Sequence, residues 1–482
     1  MDNTSAISSL GVGSGIDAAG IVSKLVEIEN KPITVLKAQA SKVQAKISAY
    51  GQVQSAVSAV RDAARKLTSV DLWASTTATS ADSTAVSASS GSTASAGSYN
   101  VVATTLAKAQ SIYSNTAVAT SASALGSGSL RIELGAWDGT AFTQKTNSTA
   151  IDISIASDDT LDDIRQTINA SGAGVTASII NDAGGARLVI QSNSTGLTNG
   201  FRITATDDDA DNLNDAGISA LAYDLTPGSE SLGTTRSQAA VNASASINGV
   251  PVNSESNTLS EVITGMTLTL SKESATPVTI TVAQDTATIS KTISDFATAY
   301  SSLASLLTTQ TKYDSGTKTA GTLQGDSGAV SVQSQLRAIL VDSSGASSVF
   351  TTLSSVGLQI TATGGLTVNS TKLTSALSNL SEVKKLFSNT DTGNASNDGI
   401  LTRLRTLSDN LLSTDGTLSA RTSGLKETID ANQKRQDTMA ARVALYEKRL
   451  RAQYTALDTI MANLNGQSSY VTQMVNSFNK SS

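Results

Sequence analysis

Three places in this chain gather residue types that could do chemistry. The run Asp207-Asp208-Asp209-Ala210-Asp211-Asn212 offers enough side-chain oxygens for Ca²⁺. It lacks the glycine and distal glutamate of an EF-hand loop, and a carboxylate run reads first as a solvated turn. Asp158, Asp159, Asp162 and Asp163 crowd a helix start, where the macrodipole favours acids. A glycosidase pair there would need aromatic platforms, and the chain has two Trp. Gly11-Val12-Gly13-Ser14-Gly15 lacks the preceding strand, the Lys and the glycine spacing of a phosphate-binding loop, so it reads as a lead into a helix. Zero Cys and zero His remove thiol nucleophiles, Ser-His-Asp triads and ordinary zinc or haem sites. The expectation is a protein that is not an enzyme, with no catalytic residue, no cofactor and no metal.

Charge narrows the partners. A net charge of −6 and a pI near 4.9 argue against nucleic acid and against anionic membranes, both of which require a basic face. The basic spots Lys434-Arg435 and Lys448-Arg449-Leu450-Arg451 sit beside Asp437 and Glu447, as charges flanking a helical seam do. Nothing approaches the roughly 20 apolar residues of a membrane span. Met1 to Ser14 carries no basic cluster or continuous apolar segment, so no cleaved signal peptide is expected. Absence of cysteine fits a protein that works outside the cell or crosses a secretion channel unfolded.

The elements that must position any site begin at the two ends. Val443, Leu450, Leu457, Leu464, Val471 and Phe478 recur every seventh residue, with Met439, Tyr446, Ile460 and Met474 in the companion seam and Gln453 and Gln467 breaking it. Such a repeat keeps one narrow stripe facing a partner helix. From Ile429 to Phe478 the rod would measure on the order of 75 Å. A second seam runs through Leu36, Val43, Tyr50, Val57 and Ala64, flanked by Ile47, Val53, Val60 and Leu67. Ahead of it a helical pattern begins near Ile16 and Asp17 and is expected to break at Lys31-Pro32.

After Trp73 the composition turns to Ser, Thr, Ala and Gly with period-two alternation. Tyr99-Val101-Ala103, Ile132-Glu133-Leu134 and Ile151-Ile153-Ile155 read as strands. Thr160 with Asp163 makes a capping box for a helix through Leu161, Ile164 and Ile168. Val175–Ile180 and Arg187–Ile190 flank the turn Asp182-Ala183-Gly184-Gly185, and Phe201-Ile203-Ala205 adds a strand. Val241 to Ile247 alternates into Asn248-Gly249, a strong hairpin signal. Thr258 with Glu261 reads as another capping box, before strands at Met266–Leu270 and Val278–Val282. Helix resumes through Ile289, Ile293, Phe296, Tyr300, Leu303 and Leu307, and Leu358–Ile360 turns at Gly364-Gly365 into Leu366–Val368.

Several of these segments are similar to a known family. Gly11-Val12-Gly13-Ser14-Gly15-Ile16-Asp17, Ile21-Val22-Ser23-Lys24-Leu25-Val26-Glu27 and Lys31-Pro32-Ile33 resemble the start of the flagellar hook-associated protein 2 family. Ile247-Asn248-Gly249-Val250, Ser256-Asn257-Thr258-Leu259 and Ile263-Thr264-Gly265-Met266-Thr267-Leu268-Thr269-Leu270 resemble its central hallmark, and the C-terminal seam its end. Leu161 to Ser194 is similar to a small repeat of flagellin and hook proteins. Residues 111–151 resemble nothing that can be named.

The fold class expected is α+β multidomain, with terminal coiled-coil or helical-bundle legs built from both chain ends carrying nested β-rich head domains. The divisions expected are 1–42 with 440–482 as a terminal coiled-coil leg and 43–76 with 284–439 as a helical leg domain. A β-rich head domain would take 77–110 with 238–283, and an outer α+β head domain 111–237. The resemblance implies the cap at the distal end of the bacterial flagellar filament, exported through the flagellar channel, admitting flagellin subunits and promoting their insertion. It implies a homo-oligomeric, pentamer-like ring as well as flagellin, junction proteins and an export chaperone on the C-terminal helix as partners, with adhesion a further role of some members. Alternatives are a hook–filament junction protein and a secreted adhesin binding host glycans. The residues expected to make oligomer or filament contacts are Val43, Tyr50, Val57, Val443, Tyr446, Leu450, Leu457, Ile460, Leu464, Val471 and Phe478. Thin seams fold only with partners, so Met1 to about Pro32 and the stretch after about Tyr454 are expected to be disordered in the isolated chain.

Overall fold

The computed structural model describes residues 17–228, 230 and 233–480, apart from the side chains of Phe478 and Lys480. The glycine-rich lead Gly11–Gly15 and Ile16 lie outside the described residues. The chain divides into two compact units: Met1–Trp73 with Thr286–Ser482, which is helical, and Ala74–Asp285, which is β-rich. The β-rich unit is therefore nested, in sequence, between the two parts of the helical one.

In the helical unit one helix runs Ala18–Leu67, capped by Asp17, whose carboxylate accepts from the Gly20 N–H at 2.8 Å. The expected break at Pro32 does not occur. Proline removes one intrahelical hydrogen bond, to the carbonyl of residue 28. Here Pro32 and Ile28 are both exposed, while Ala18, Val22 and Ile33 are buried on the opposite face. Water can serve the freed carbonyl while the apolar face keeps the helix going. Further helices span Thr286–Thr311, Ser327–Val341, Ser370–Leu377, Leu380–Ser388 and Ile400–Leu412, and the last runs Thr417–Lys480. A core of Tyr50, Val53, Val57, Ile293, Phe296, Leu336, Phe387 and Leu404 binds them together, with Trp73 stacked on Phe387 at 5.9 Å.

The β-rich unit holds two apolar clusters. One draws on residues 85–107 and 243–282, where an antiparallel sheet orders Thr76–Ser80, Val278–Gln284, Gly97–Thr105, Ala243–Ile247 and Val250–Ser254. A second sheet, Thr258–Ser260, Met266–Leu270 and Val86–Ser90, shares that core. Asn248 and Gly249 both take positive φ (48° and 85°), the backbone a two-residue hairpin needs. The expected capping box at Thr258 and Glu261 is corrected: Thr258–Ser260 is an edge strand, and Glu261 has a φ of 62°, outside the helical region.

The other cluster draws on residues 112–223. Gly128–Asp138 pairs with Gly200–Asp207 on one side and with Ala141–Gln144 and Ile151–Ile155 on the other. A second sheet orders Thr234–Gln238, Ser111–Ser114, Gly185–Ser192 and Val175–Asp182. The helix Leu161–Ala170 packs Ile164 and Ile168 into this core, and the capping box at Thr160 and Asp163 is present as read. Gln110, fully buried, donates to the Phe201 carbonyl at 2.8 Å and accepts from its N–H at 3.1 Å, so the incoming chain is tied to the sheet as another strand would be.

Candidate assembly interface

The chemistry-bearing clusters resolve into structural roles. Asp207 is buried, and its carboxylate accepts from the N–H groups of Ile218 (2.8 Å) and Ser219 (3.2 Å). Asp209 accepts from the Asp211 N–H at 2.8 Å, so the acidic run spends lone pairs on its own turn. Asp162 is held below the usual carboxylate range by hydrogen bonds from Arg165 and Gln166, and Asp163 by those of Thr160. Among the described residues no group of three or more His, Cys, Asp or Glu could hold a metal ion, and no helix is long and apolar enough to cross a membrane.

The two terminal helices pack along each other. Arg442 pairs with Glu29 at 3.6 Å, and Asp326 bridges Tyr50 and Arg421. In both cross-links the helix positions sum to 471 (29 with 442, 50 with 421), so the helices run antiparallel. Ala18 then falls opposite residue 453. Leu457 and everything after it lies beyond the described part of the N-terminal helix.

That register sorts the expected contact residues. Tyr50 and Val57 are corrected as contact residues: both are fully buried in the core of their own chain and have no surface for a partner. Their seam is satisfied from within because the helices 286–311, 400–412 and 417–480 supply the facing side chains. Val43 is half-buried at the edge of that core. Val443 and Leu450 keep 7% and 8% of their surface, within the antiparallel stretch. Tyr446 is half-buried, with the Arg449 guanidinium 5.4 Å from its ring centre. Leu457, Ile460, Leu464 and Val471 are open, at 42%, 56%, 52% and 56% exposure. The Phe478 side chain lies outside the described residues. Met474 and Val475 extend the same open stripe.

Sequence reasoning missed the pin that holds the buried seam. Tyr50 Oη donates to Asp326 Oδ1 at 2.6 Å, Arg421 donates to Oδ2 at 2.8 Å, and the Gly328 N–H donates to Oδ1 at 3.1 Å as Asp326 caps the helix Ser327–Val341. Burial pushes the Asp326 carboxyl up, but the bonds from Tyr50 and Arg421 outweigh it and hold the group below its ordinary range. Burial, reinforced by that carboxylate, pushes the Tyr50 phenol up to about 12. An aspartate followed by a helical pattern was the available signal, as an N-cap; its two distant partners left none.

Fold and interface together define an assembly protein: two long terminal helices, one bearing an apolar stripe that has no partner among the described residues, flanking a β-rich insertion. Comparison with known proteins supplies the particular one. Residues 14–110 match the N-terminal region of flagellar hook-associated protein 2, residues 240–466 its C-terminal region, and residues 141–194 the flagellin hook IN motif. The chain is 34% identical over 484 residues to flagellar hook-associated protein 2 of Escherichia coli K12, covering 97% of each. It is 32% identical over 490 residues to that of Salmonella typhimurium, covering 98% of this chain and 99% of the other. The crystal structure of the D1-D2-D3 domains of the flagellar cap protein FliD from E. coli aligns with 78% of this chain and 99% of its own, at 33% identity and a TM-score of 0.62. The chain belongs to the flagellar hook-associated protein 2 family and is a flagellar filament cap protein. The hook–filament junction and adhesin alternatives are not favoured by these relatives.

Proposed function

We propose that the chain, once at the filament tip, assembles with copies of itself into a pentamer-like ring that admits flagellin subunits and promotes their insertion. The open stripe Leu457–Val475 supports this reading most directly. It is an apolar heptad face about 27 Å long with no described partner in its own chain, and exposed apolar faces of this extent mark contact sites. Its partners on this reading are flagellin and neighbouring cap subunits. Before assembly the same helix would be covered by an export chaperone, and junction proteins would be met at the filament base. Export would run through the flagellar channel. A terminal leg (1–42 with 440–482), a helical leg domain (43–76 with 284–439) and two head domains (77–110 with 238–283, and 111–237) remain the working division.

Leu457→Asp tests the reading. We expect a folded chain with unchanged circular dichroism, cells that no longer swim, and unpolymerised flagellin released to the medium. Normal swimming would remove the stripe from the mechanism.

A further inference from the structure

The net charge of −6 conceals a division. Residues 74–285 hold 8 Lys and Arg against 20 Asp and Glu, a balance of −12, which leaves 26 against 20, or +6, for the helical unit. Two features concentrate these charges beside apolar surface. Between the two terminal helices lies a groove with Val43 and Leu425 as its apolar floor and the small Gly424 and Ala431 along one wall. Lys42, Lys46 and Arg435 stand around it against the single acid Glu427, and none of the three bases has an ion-pair partner within 4 Å among the described residues. On the β-rich unit, the loop after strand Gly200–Asp207 holds Leu213 at 53% exposure among the exposed acids Asp208, Asp209, Asp211 and Asp215. Buried Asp207 and the Asp209-to-Asp211 bond fix that loop in shape, so docking it costs little ordering entropy.

We propose that the acidic loop 208–215 of one copy seats Leu213 in the basic-rimmed groove of a second copy. An apolar knob ringed by acids meets an apolar floor ringed by bases, each side carrying charge its own chain leaves unpaired. Charge complementarity of this kind fixes orientation and speeds encounter. Knob and groove are different surfaces, so the contact is heterologous, the type that generates rings when its rotation closes. The inference rests on the self-assembly proposed above and names one contact within it.

The absence of cysteine makes a clean test possible. Full-length Leu213→Cys and Ala431→Cys chains, each exposed at the substituted position, are mixed and oxidised. A disulfide between the two variants can arise only between copies. We expect that product in quantity at 0.05 M salt and several-fold less at 1 M, where the screening length falls to about 3 Å. Lys46→Glu with Arg435→Glu in the groove chain should weaken mixed association about tenfold. Asp208→Lys with Asp215→Lys, whose carboxylates take no part in the loop's hydrogen bonds, should restore it when placed on the other chain. Assemblies that form without the cross-link, or that ignore the charge reversal, overturn this contact and leave the cap function standing. A chain that stays monomeric at every concentration and salt overturns the contact together with the self-assembly beneath it.

Discussion

Two heptad seams of similar composition meet opposite fates in this molecule. Leu36 to Ala64 carries Tyr50 and Val57 into a dry core, whereas Leu457 to Val471 stands in solvent. The repeat specifies a stripe; what covers the stripe depends on how much other chain folds against it. Around Tyr50 and Val57 three further helices converge, and beyond residue 454 the antiparallel register runs out of described N-terminal helix. One seam belongs to the fold and the other stands uncovered among the described residues. The same substitution should separate them. Val57→Asp buries an unpaired carboxylate and should destabilise the helical unit by at least about 4 kcal/mol, seen as loss of its thermal transition. Leu457→Asp should shift the melting of the isolated chain by no more than about 0.5 kcal/mol. Equal effects at both positions would erase the distinction.

A smaller effect tests how the buried seam is fastened. Asp326→Ala leaves the Tyr50 hydroxyl without its acceptor, strips Arg421 of its partner and uncaps a helix, for a cost of about 2–3 kcal/mol. The pH dependence follows from the same three groups. Asp326 is depressed in the folded state, so its contribution is complete above its ordinary value of 3.8 and fades as pH falls below that value toward its folded pKa. Tyr50 is raised from 10.0 to about 12, so its contribution is complete below pH 10 and is lost across the interval to about 12. Tyr50→Phe should flatten the alkaline limb over that interval and, because the Tyr50 hydroxyl helps depress Asp326, shrink the acid limb as well. An unchanged alkaline limb would show that the phenol is not buried in solution.

Much of this was legible because the signals are local. The capping box at Thr160 and Asp163, the Asn248-Gly249 hairpin and the 3.6-residue pattern of Thr286–Thr311 each lie within a few residues, and the structure reproduces them. The errors came where a distant partner decides. Thr258 and Glu261 have cap spacing, yet pairing of Thr258–Ser260 with Thr267–Thr269 claims Thr258 for a sheet and leaves Glu261 just past its end at positive φ. Tyr50 and Val57 look like surface contacts until the helices from residue 286 onward close over them. The Tyr50–Asp326–Arg421 pin joins positions 276 and 95 residues apart, and no spacing rule foretells it. The stripe beyond residue 454 stays open because nothing in the described chain competes for it.

The last expected effect is local, and it bears on where the packed part of the helix pair ends. Pro32 sits in the antiparallel stretch, between the fastened seam and the buried Val22 and Ala18. It deprives the helix of one hydrogen bond, and local stability there rests on few buried side chains. Pro32→Ala should restore the bond and strengthen residues 18–36 locally by about 1–3 kcal/mol, offset in part by a freer unfolded chain. Because this arm opens before the core does, the global melting temperature should not move. Hydrogen exchange of the dilute chain can read the difference. In the parent, protection should be high around Tyr50 and Arg421, lower through residues 18–36, and lowest in the C-terminal helix beyond residue 454. In Pro32→Ala, protection should rise in residues 18–36 and in the facing stretch near residues 435–453, and nowhere else. A rise confined to the substituted helix would show that the two arms open independently. A rise reaching Leu457 and beyond would mean that the open stripe is already coupled to the fold before any partner arrives.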